Sequence, residues 1–366
     1  MTNIVLLKLA NRQNQIKVEE IKIIDKMQII KSGCRLKMNK FKNTAKSPAN
    51  IAFIKYWGKK NPRLNIPFND SLSMNLSGCI TTTTVEFNPR FRSDKVYLNG
   101  KEIKDEKKFR VLRIVDLVRE KSEIPWGVKV VSKNNFPSDA GIASSASGFS
   151  ALALAASKAS GLDFSQQELS ILARLGSGSA ARSIIDGFTK WNKGKDNKSS
   201  YAQQIAAVNH WDLRDLVAVV ETEAKKKSSS EGHALVLTSP FFRMRQKNLI
   251  KRIREITKAL KEKNFKKFGE LLEEEAIELH VIAMTSKPAI FYWNKGTLEV
   301  IDKINTMREI GIQVYYTMDA GPNVHIICRS KDAKKVASRI KRLTEVKFVI
   351  INKPAIGARL VNKHLF

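Results

Sequence analysis

The sequence predicts an α+β protein with two domains. The chain has 366 residues, of which 43% are hydrophobic, so it is long for one ordinary domain and rich enough in apolar residues to build cores. Residues from Thr44 to about Phe87 are rich in β-branched types and end in TTTTVEF, which is typical of strands. The second half alternates strand patterns with long helical patterns, as in an antiparallel sheet covered by helices.

The first half is predicted to continue with a strand, a helix, a second strand and a helix of small residues, over Val96–Ile103, Lys107–Lys121, Trp126–Phe136 and Ala143–Ser160. Ser165 and Glu168 form a capping-box pattern, which predicts that the helix containing ELSILARLGSG begins there. A polar stretch over residues 192–200, NKGKDNKSS, is the best candidate for a loop near the domain boundary.

The second half is predicted to contain four strands, at Leu216–Thr222, Ile312–Thr317, Val324–Cys328 and Val346–Ile351. Its predicted helices are Lys247–Lys263, Phe265–His280, Leu298–Ile310 and Ala333–Leu343. The resulting division of the chain is an N-terminal extension over residues 1–40, a first domain with a phosphate loop over residues 41–205 and a second α+β domain over residues 206–366.

The formal net charge of +30 permits two interpretations. A basic surface attracts nucleic acid through counterion release, or it steers a small polyanionic substrate into a cleft. Lysines are spread along the chain and no RRM, KH or helix-turn-helix pattern accompanies them, which disfavours nucleic-acid binding. The three cysteines share no C-x-x-C spacing and the apolar runs are too short to span a bilayer, so we expect a cytoplasmic protein with no membrane anchor.

Three stretches predict a site that handles anions: SPANIAFIKYWGKK from Ser47, NNFPSDAGIASSASG from Asn134 and MDAGPN from Met318. The second stretch leads into the small-residue helix, whose first turns are predicted to expose Ser144, Ser145 and Ser147. A helix N-terminus offers free backbone N–H groups and a positive dipole end to phosphate. The alternative is that these small residues only permit close helix packing.

The motifs KYWGK, NNFPSDAGIASSASG, GSGSAARS and MDAGPN resemble, in order and spacing, those of the diphosphomevalonate decarboxylase family of the GHMP kinase superfamily. The resemblance runs from about Ser47 to the C-terminal region. It implies a GHMP-kinase-like fold, with an N-terminal α/β domain similar to ribosomal protein S5 and a ferredoxin-like C-terminal α+β domain. It also implies a homodimer that acts on a small phosphorylated mevalonate.

The resemblance assigns four residues to the reacting centre. Asp319 would face carbon 3 of the substrate and accept the hydroxyl proton or stabilise the developing cation. Lys55 would hold that carboxylate ionised, and Arg182 would bind the substrate carboxylate with help from Asn50.

The same resemblance places Tyr56, Lys59, Ser177 and Ser179 at the 5-phosphate end of the substrate. Ser229 and His233 lie in a stretch predicted to be a loop, KKKSSSEGH, and are further expected to bind substrate. Asp139, Gly141, Ser144 and Ser145 form the expected phosphate loop. No metal ligand is predicted, and Trp57 is expected to pack rather than to bind.

Three positions depart from the family's usual pattern. Asp139 stands where a small residue is common, Asp70 where serine is common, and His233 where methionine is common. A carboxylate beside nucleotide phosphates repels them unless magnesium intervenes. The main expectation is therefore an archaeal-type enzyme that converts mevalonate 3,5-bisphosphate to isopentenyl phosphate without a cofactor. The alternative is an enzyme that uses ATP and Mg²⁺ on mevalonate 5-diphosphate or 5-phosphate, and the remote alternative is a basic nucleic-acid-binding protein.

Overall fold

The computed structural model describes residues 41–137, 142–223 and 228–366. Residues Lys42–Phe366 form one compact unit, and the expected extension over residues 1–40 lies outside the described residues. In chain order the strands are β1 (Lys42–Ile54), β2 (Lys59–Asn61), β3 (Ile66–Pro67), β4 (Ser71–Asn88), β5 (Lys95–Leu98), β6 (Lys101–Glu102), β7 (Gly127–Asn134), β8 (Phe188–Trp191), β9 (Ala202–Ala206), β10 (Leu213–Val219), β11 (Val314–Thr317), β12 (Val324–Arg329), β13 (Phe348–Asn352) and β14 (Arg359–Val361).

The larger sheet has the strand order β14-β1-β4-β7-β5-β6, and β8 and β9 extend it from β4. Its pairs are antiparallel except for the parallel pair of β5 and β7. β1 runs beside β4 and their pairing ends at Ile54 opposite Leu72. The chain therefore leaves the sheet at Lys55, which begins the KYWGK turn.

The helices in chain order are α1 (Asp105–Ser122), α2 (Ser144–Ala159), α3 (Gln166–Gly176), α4 (Ala180–Ser183), α5 (Ser229–Leu235), α6 (Phe242–Lys261), α7 (Phe265–Met284), α8 (Lys295–Glu309) and α9 (Ala333–Ile340). The capping box predicted for Ser165 and Glu168 is confirmed at the start of α3. Small residues let α2 approach β1 and β4 closely, and hydroxyls hydrogen-bond across the contact, Ser150 to Ser47 at 2.5 Å and Ser147 to Thr81 at 2.6 Å.

The second sheet is antiparallel, with the order β11-β12-β10-β13. One of its faces packs on α8 and α9 through Leu216, Ile304 and Val336. The other face shares a core with α6, α7 and the larger sheet, in which Phe53 meets Phe268 edge to face. This shared core fixes α7 beneath the end of β1.

The α+β class with two domains is confirmed. Two local expectations differ from the structure. Ser147 is buried where α2 packs on β4, and it hydrogen-bonds to Thr81 there. His233 lies in a helix rather than a loop, since Ser228 and Glu231 form a capping box that starts α5. The stretch 192–200 is a loop, as predicted, and it connects β8 to β9 within the larger sheet. No helix among the described residues is long and apolar enough to cross a membrane.

Candidate active site

A cavity of about 610 Å³ opens where β1 ends. Every predicted site residue that the structure describes lines it, except Asn50, which lies behind Arg182. Its lining includes six basic side chains, Lys55, Lys59, Lys107, Arg110, Arg113 and Arg182, against two acidic ones, Glu106 and Asp319. The cavity therefore favours an anion. The expected phosphate-loop residues Asp139 and Gly141 lie outside the described residues.

Lys55 and Asp319 form an ion pair at the inner end of the cavity. Lys55 directly follows β1, and Asp319 lies in the turn that joins β11 to β12. The ammonium Nζ is 2.8 Å from Asp319 Oδ1 and also donates to the carbonyl oxygen of Ala52 at 2.7 Å. The Lys55 side chain is 1% exposed and that of Asp319 is 26% exposed, so the carboxylate is the more accessible member of the pair in the cavity that both residues line.

Each member of this pair controls the charge of the other. Burial alone would raise the pKa of Asp319, but the charge and hydrogen bond of Lys55, with smaller contributions from His325 and Arg182, hold that pKa below its ordinary value. Burial lowers the pKa of Lys55, and the carboxylates of Asp319 and Glu275 oppose that decrease. The site therefore keeps an ionised carboxylate facing the cavity.

Arg182 is held in α4 as a buried, preorganised fork. Its Nε and Nη2 donate to Asn50 Oδ1 at 3.2 and 3.0 Å, and its Nη1 donates to Ser71 Oγ at 2.7 Å. Asn50 in turn donates to Ser183 Oγ at 2.7 Å. Burial lowers the pKa of Arg182 to about 10, so the guanidinium remains charged near neutral pH. Within residues 41–137, 142–223 and 228–366, Arg182 has no carboxylate partner within ion-pair distance, which leaves its charge available to a ligand.

Tyr56 and Lys59 lie toward the mouth of the cavity. Tyr56 packs edge to face on Trp191, with ring centroids 4.7 Å apart, and its hydroxyl is buried. A Cβ at Gly178 would lie 2.5 Å from this ring, so only glycine fits there. Burial, with the charge of Arg110, lowers the pKa of Lys59 to about 8. Among the described residues the Tyr56 hydroxyl has no hydrogen-bond partner and Lys59 has no carboxylate partner, so a ligand could bind both groups without displacing a protein group.

The predicted serines meet at the N-terminus of α2. Ser145 Oγ lies 3.1 Å from Ser177 Oγ, which lies 3.4 Å from Ser179 Oγ. Ala143 precedes the helix and has no side chain that could accept a hydrogen bond from its first turn. Free N–H groups, hydroxyls and nearby cations together suit the phosphates of a nucleotide or of a phosphorylated substrate.

His233 supports the KYWGK turn. Its Nδ1 accepts a hydrogen bond from the backbone N–H of Gly58 at 2.8 Å, and its ring lies 4.2 Å from Tyr56 and 4.8 Å from Trp57. Burial, with the charge of Lys59, puts the pKa of His233 well below its ordinary value. The imidazole is therefore neutral. Trp57 is buried and packs with Val236, as expected.

Sequence reasoning missed Arg110, Ser71 and Glu275. Arg110 shares one face of α1 with Lys107 and Arg113. Basic residues spaced three apart in a predicted helix indicate a basic helix face, so the sequence contained this information. Glu275 is buried on α7 and accepts the backbone N–H of Lys55. Its signal was an acidic residue on the apolar stripe of a helix, with Leu271, Leu272 and Leu279.

Two family models match this chain. The diphosphomevalonate decarboxylase-like N-terminal domain matches residues 47–202, and the mevalonate 5-diphosphate decarboxylase C-terminal domain matches residues 215–354. The chain belongs to the diphosphomevalonate decarboxylase family. Members of this family are carboxy-lyases, so the protein is an enzyme and nucleic-acid binding is not needed to explain its charge.

Individual members of the diphosphomevalonate decarboxylase family are similar over most of their length. The diphosphomevalonate decarboxylase of Debaryomyces hansenii is 36% identical over 319 residues, which cover 82% of each chain. The crystal structure of mevalonate diphosphate decarboxylase from Staphylococcus aureus has a TM-score of 0.83 and 35% identity, and the match covers 88% of this chain and 98% of that one. A solved complex of MDDEF with MVAPP, AMPPCP and magnesium has a TM-score of 0.83 and 36% identity, over 88% and 99% of the two chains.

These comparisons correct one expectation from the sequence. The expectation of an enzyme without a cofactor is wrong, because the related MDDEF complex holds the ATP analogue AMPPCP and magnesium together with MVAPP. The reason for the error is that the charge of one residue, Asp139, was weighed without the basic side chains that line the cavity. In the structure, Lys59, Arg110 and the N-terminus of α2 all border the cavity. The archaeal affinity expected from Asp70, Asp139 and His233 is not supported, since the similar proteins reported above are fungal and bacterial.

Proposed function

We propose that this enzyme converts mevalonate 5-diphosphate to isopentenyl diphosphate, CO2 and phosphate, with ATP and Mg²⁺. The single observation that carries the proposal is the Lys55–Asp319 pair, 2.8 Å apart, which faces the same cationic cavity as the preorganised Arg182 fork. A carboxylate, a tertiary alcohol and a diphosphate on one small molecule match these groups. The ATP-dependent reaction, which the sequence analysis gave as the alternative, thus replaces the ATP-free reaction as the proposed function.

The first task of the site is to make the 3-hydroxyl a leaving group. Bound ATP with Mg²⁺ supplies the phosphoryl group, and Ser144, Ser145 and the N-terminus of α2 would hold its phosphates. The Asp319 carboxylate accepts the hydroxyl proton as the oxygen is phosphorylated. The Lys55 ammonium keeps that carboxylate ionised and oriented, and stabilises negative charge on the reacting oxygen.

The second task is to direct loss of the carboxylate. When the 3-phosphate departs with the C–O electron pair, it takes up the proton held by Asp319, and the Asp319 carboxylate, ionised again, stabilises the positive charge that develops on carbon 3. The bond between carbon 2 and the carboxylate then breaks, and its electrons form the carbon 2–carbon 3 double bond as CO2 leaves. Arg182, fixed by Asn50 and Ser71, binds the carboxylate in two-pronged geometry and aligns that bond.

The third task is to hold the 5-diphosphate away from the reacting centre. Lys59 and Arg110 provide charge, and Tyr56, Ser177 and Ser179 provide hydroxyls in the same part of the cavity. Ser229 and His233 border it from α5. We assign these residues to substrate binding rather than to chemistry, because among the described residues no hydrogen bond or ion pair joins their side chains to the Lys55–Asp319 pair.

The proposal also retains three predictions from the sequence. These are the domain limits at residues 41–205 and 206–366, a homodimer and a cytoplasmic setting. Gel filtration coupled to light scattering would measure the oligomeric state.

One experiment separates the proposal from its competitors. The purified enzyme is incubated with mevalonate 5-diphosphate and MgATP, and isopentenyl diphosphate, CO2, ADP and phosphate are measured. Parallel reactions contain mevalonate 5-phosphate with MgATP, or mevalonate 3,5-bisphosphate without nucleotide. We expect one ADP per CO2 in the first reaction and at most weak turnover in the others. Turnover of the bisphosphate alone, with none in the first reaction, would overturn the proposal.

A further inference from the structure

The backbone of Lys55 is held by groups that the chemistry of the site does not otherwise use. Lys55 lies one residue beyond the last paired residue of β1, so its N–H and C=O need partners outside the sheet. The N–H donates to Glu275 Oε1 at 2.9 Å. The carbonyl oxygen accepts from Asn69 Nδ2 at 3.0 Å and from Arg245 Nη2 at 3.4 Å.

Glu275 is itself rigidly placed. It is fully buried on α7, and its carboxylate accepts hydrogen bonds from both Arg245 and Arg252. Arg245 is fully buried as well, so the Glu275–Arg245 pair is shielded from solvent. A buried charge cluster of this kind is weak evidence for stability, because desolvation offsets its attraction. Its contact with the backbone of Lys55 indicates another role.

We propose that Glu275 is a positioning residue for the reaction, which holds the chain at the end of β1 so that the Lys55 ammonium meets Asp319. This inference rests on the proposed function for its kinetic test. The Glu275 carboxylate lies on α7 in the second half of the chain, whereas the Lys55 ammonium belongs to the KYWGK turn in the first half. The ammonium has little freedom, since its stem is buried and Nζ also bonds to the carbonyl oxygen of Ala52.

The charge of Glu275 adds a second effect. The charged groups that face Lys55 are Asp319 from the β11–β12 turn, Glu275 from α7, Arg182 from α4 and Arg245 from α6. Burial and Arg182 lower the pKa of Lys55, whereas Asp319 and Glu275 oppose that decrease. Removing the Glu275 charge therefore lowers the pKa of Lys55 further, and the ammonium loses its proton at a lower pH than in the wild type.

The test compares Glu275→Gln with Glu278→Gln. Glutamine keeps the shape and one acceptor oxygen but removes the charge. Glu278 is a matched control, because it lies on the same helix as Glu275 and its carboxylate pairs with the same two arginines of α6, yet it makes no hydrogen bond to Lys55. For Glu275→Gln we expect kcat to fall about 10- to 100-fold with KM changed less than about threefold, and the alkaline limb of kcat to move to lower pH. For Glu278→Gln we expect neither change.

A second variant separates placement from charge. Asn69→Ala removes a hydrogen bond to the Lys55 carbonyl without altering the charge cluster. It should lower kcat without moving the alkaline limb. If Glu275→Gln fails to fold, this variant decides the question, because an unchanged kcat in Asn69→Ala would refute the positioning role.

A measurement that needs no turnover keeps this inference distinct from the proposed function. The 13Cε resonance of Lys55, assigned with a Lys55→Met variant, is titrated in wild type, Glu275→Gln and Glu278→Gln. We expect a titration at lower pH in Glu275→Gln alone. If wild type does not turn over mevalonate 5-diphosphate but this shift is seen, only the proposed function fails. An unmoved Lys55 titration in Glu275→Gln, or an equal shift in Glu278→Gln, would overturn the role of Glu275.

Discussion

The two ends of the cavity differ in how many of their polar side chains already have hydrogen-bond or ion-pair partners within the protein. At the inner end, Lys55, Asp319, Arg182 and Asn50 all bond to other protein groups and three of the four are almost fully buried. At the outer end Lys59 is partly buried, and within the part of the chain that the structure describes it has no carboxylate partner and the Tyr56 hydroxyl has no hydrogen-bond partner. The comparison indicates a preorganised reaction centre beside a phosphate-binding region that an anion completes.

The strongest challenge to this comparison is Asp319→Asn. The amide has the same shape but cannot accept the hydroxyl proton or stabilise a cation by charge, so kcat should fall about a thousandfold. KM for mevalonate 5-diphosphate should change little, because the phosphate-binding end is intact. Steady-state kinetics would measure kcat and KM. Asp302→Asn, at an exposed position on α8, should leave both constants unchanged; a similar loss there would contradict the assignment.

A second change tests whether binding of the substrate carboxylate requires the planar guanidinium of Arg182 or only its positive charge. Arg182→Lys keeps a cation but cannot bond to Asn50 and Ser71 while presenting two donors to a carboxylate. We expect kcat/KM to fall about a hundredfold. Arg174→Lys is the control, since Arg174 is also buried but bonds to Leu64 and Asn197 outside the cavity lining. It should lower the melting temperature and spare kcat/KM, and wild-type kinetics in Arg182→Lys would show that charge suffices.

At the outer end, Gly178→Ala tests how closely Tyr56 is packed. The added methyl group would lie 2.5 Å from the Tyr56 ring, so the ring must move. We expect KM to rise about tenfold and the free energy of unfolding to fall by about 1–3 kcal/mol. A Cβ at Gly148 on α2 would have no atom of the described residues within 4 Å, so Gly148→Ala should be neutral or stabilising. Substrate titration and urea unfolding would measure these effects, and unchanged KM would mean that Tyr56 does not order the phosphate end.

The smallest expected effect is a change in pH dependence at Lys59. Its pKa is lowered to about 8, so the cation that binds the diphosphate is present below that pH and lost above it. For wild type, kcat/KM should therefore decline as pH rises through about 8. Lys59→Arg should move that decline to higher pH, because arginine stays charged.

The neighbouring Lys60→Arg serves as its control, since Lys60 is exposed and does not line the cavity. That variant should reproduce the wild-type profile. An identical decline in Lys59→Arg and wild type would assign the titration to another group.

Much of the fold was predictable from the sequence because it depends on local patterns. The strand with four consecutive threonines, the helix that Ser165 caps and the alternation of strands and helices after residue 213 all lie where the pattern places them. The pattern at 192–200 correctly indicates a loop but does not say which elements it joins. The stretch around His233 was wrongly predicted as a loop, because the capping box at Ser228 starts α5 there.

For the site, the sequence by itself determined which chemical groups are present: the lysine of KYWGK, the aspartate of MDAGPN and the arginine of GSGSAARS. Tertiary structure decided their environment. Of three consecutive glutamates on α7, only Glu275 is fully buried, because its position on the apolar stripe turns it toward β1, whereas Glu274 is exposed. Burial makes its charge act strongly on a backbone group from a distant part of the chain. Such an effect depends on packing between segments about 220 residues apart, which no local pattern records.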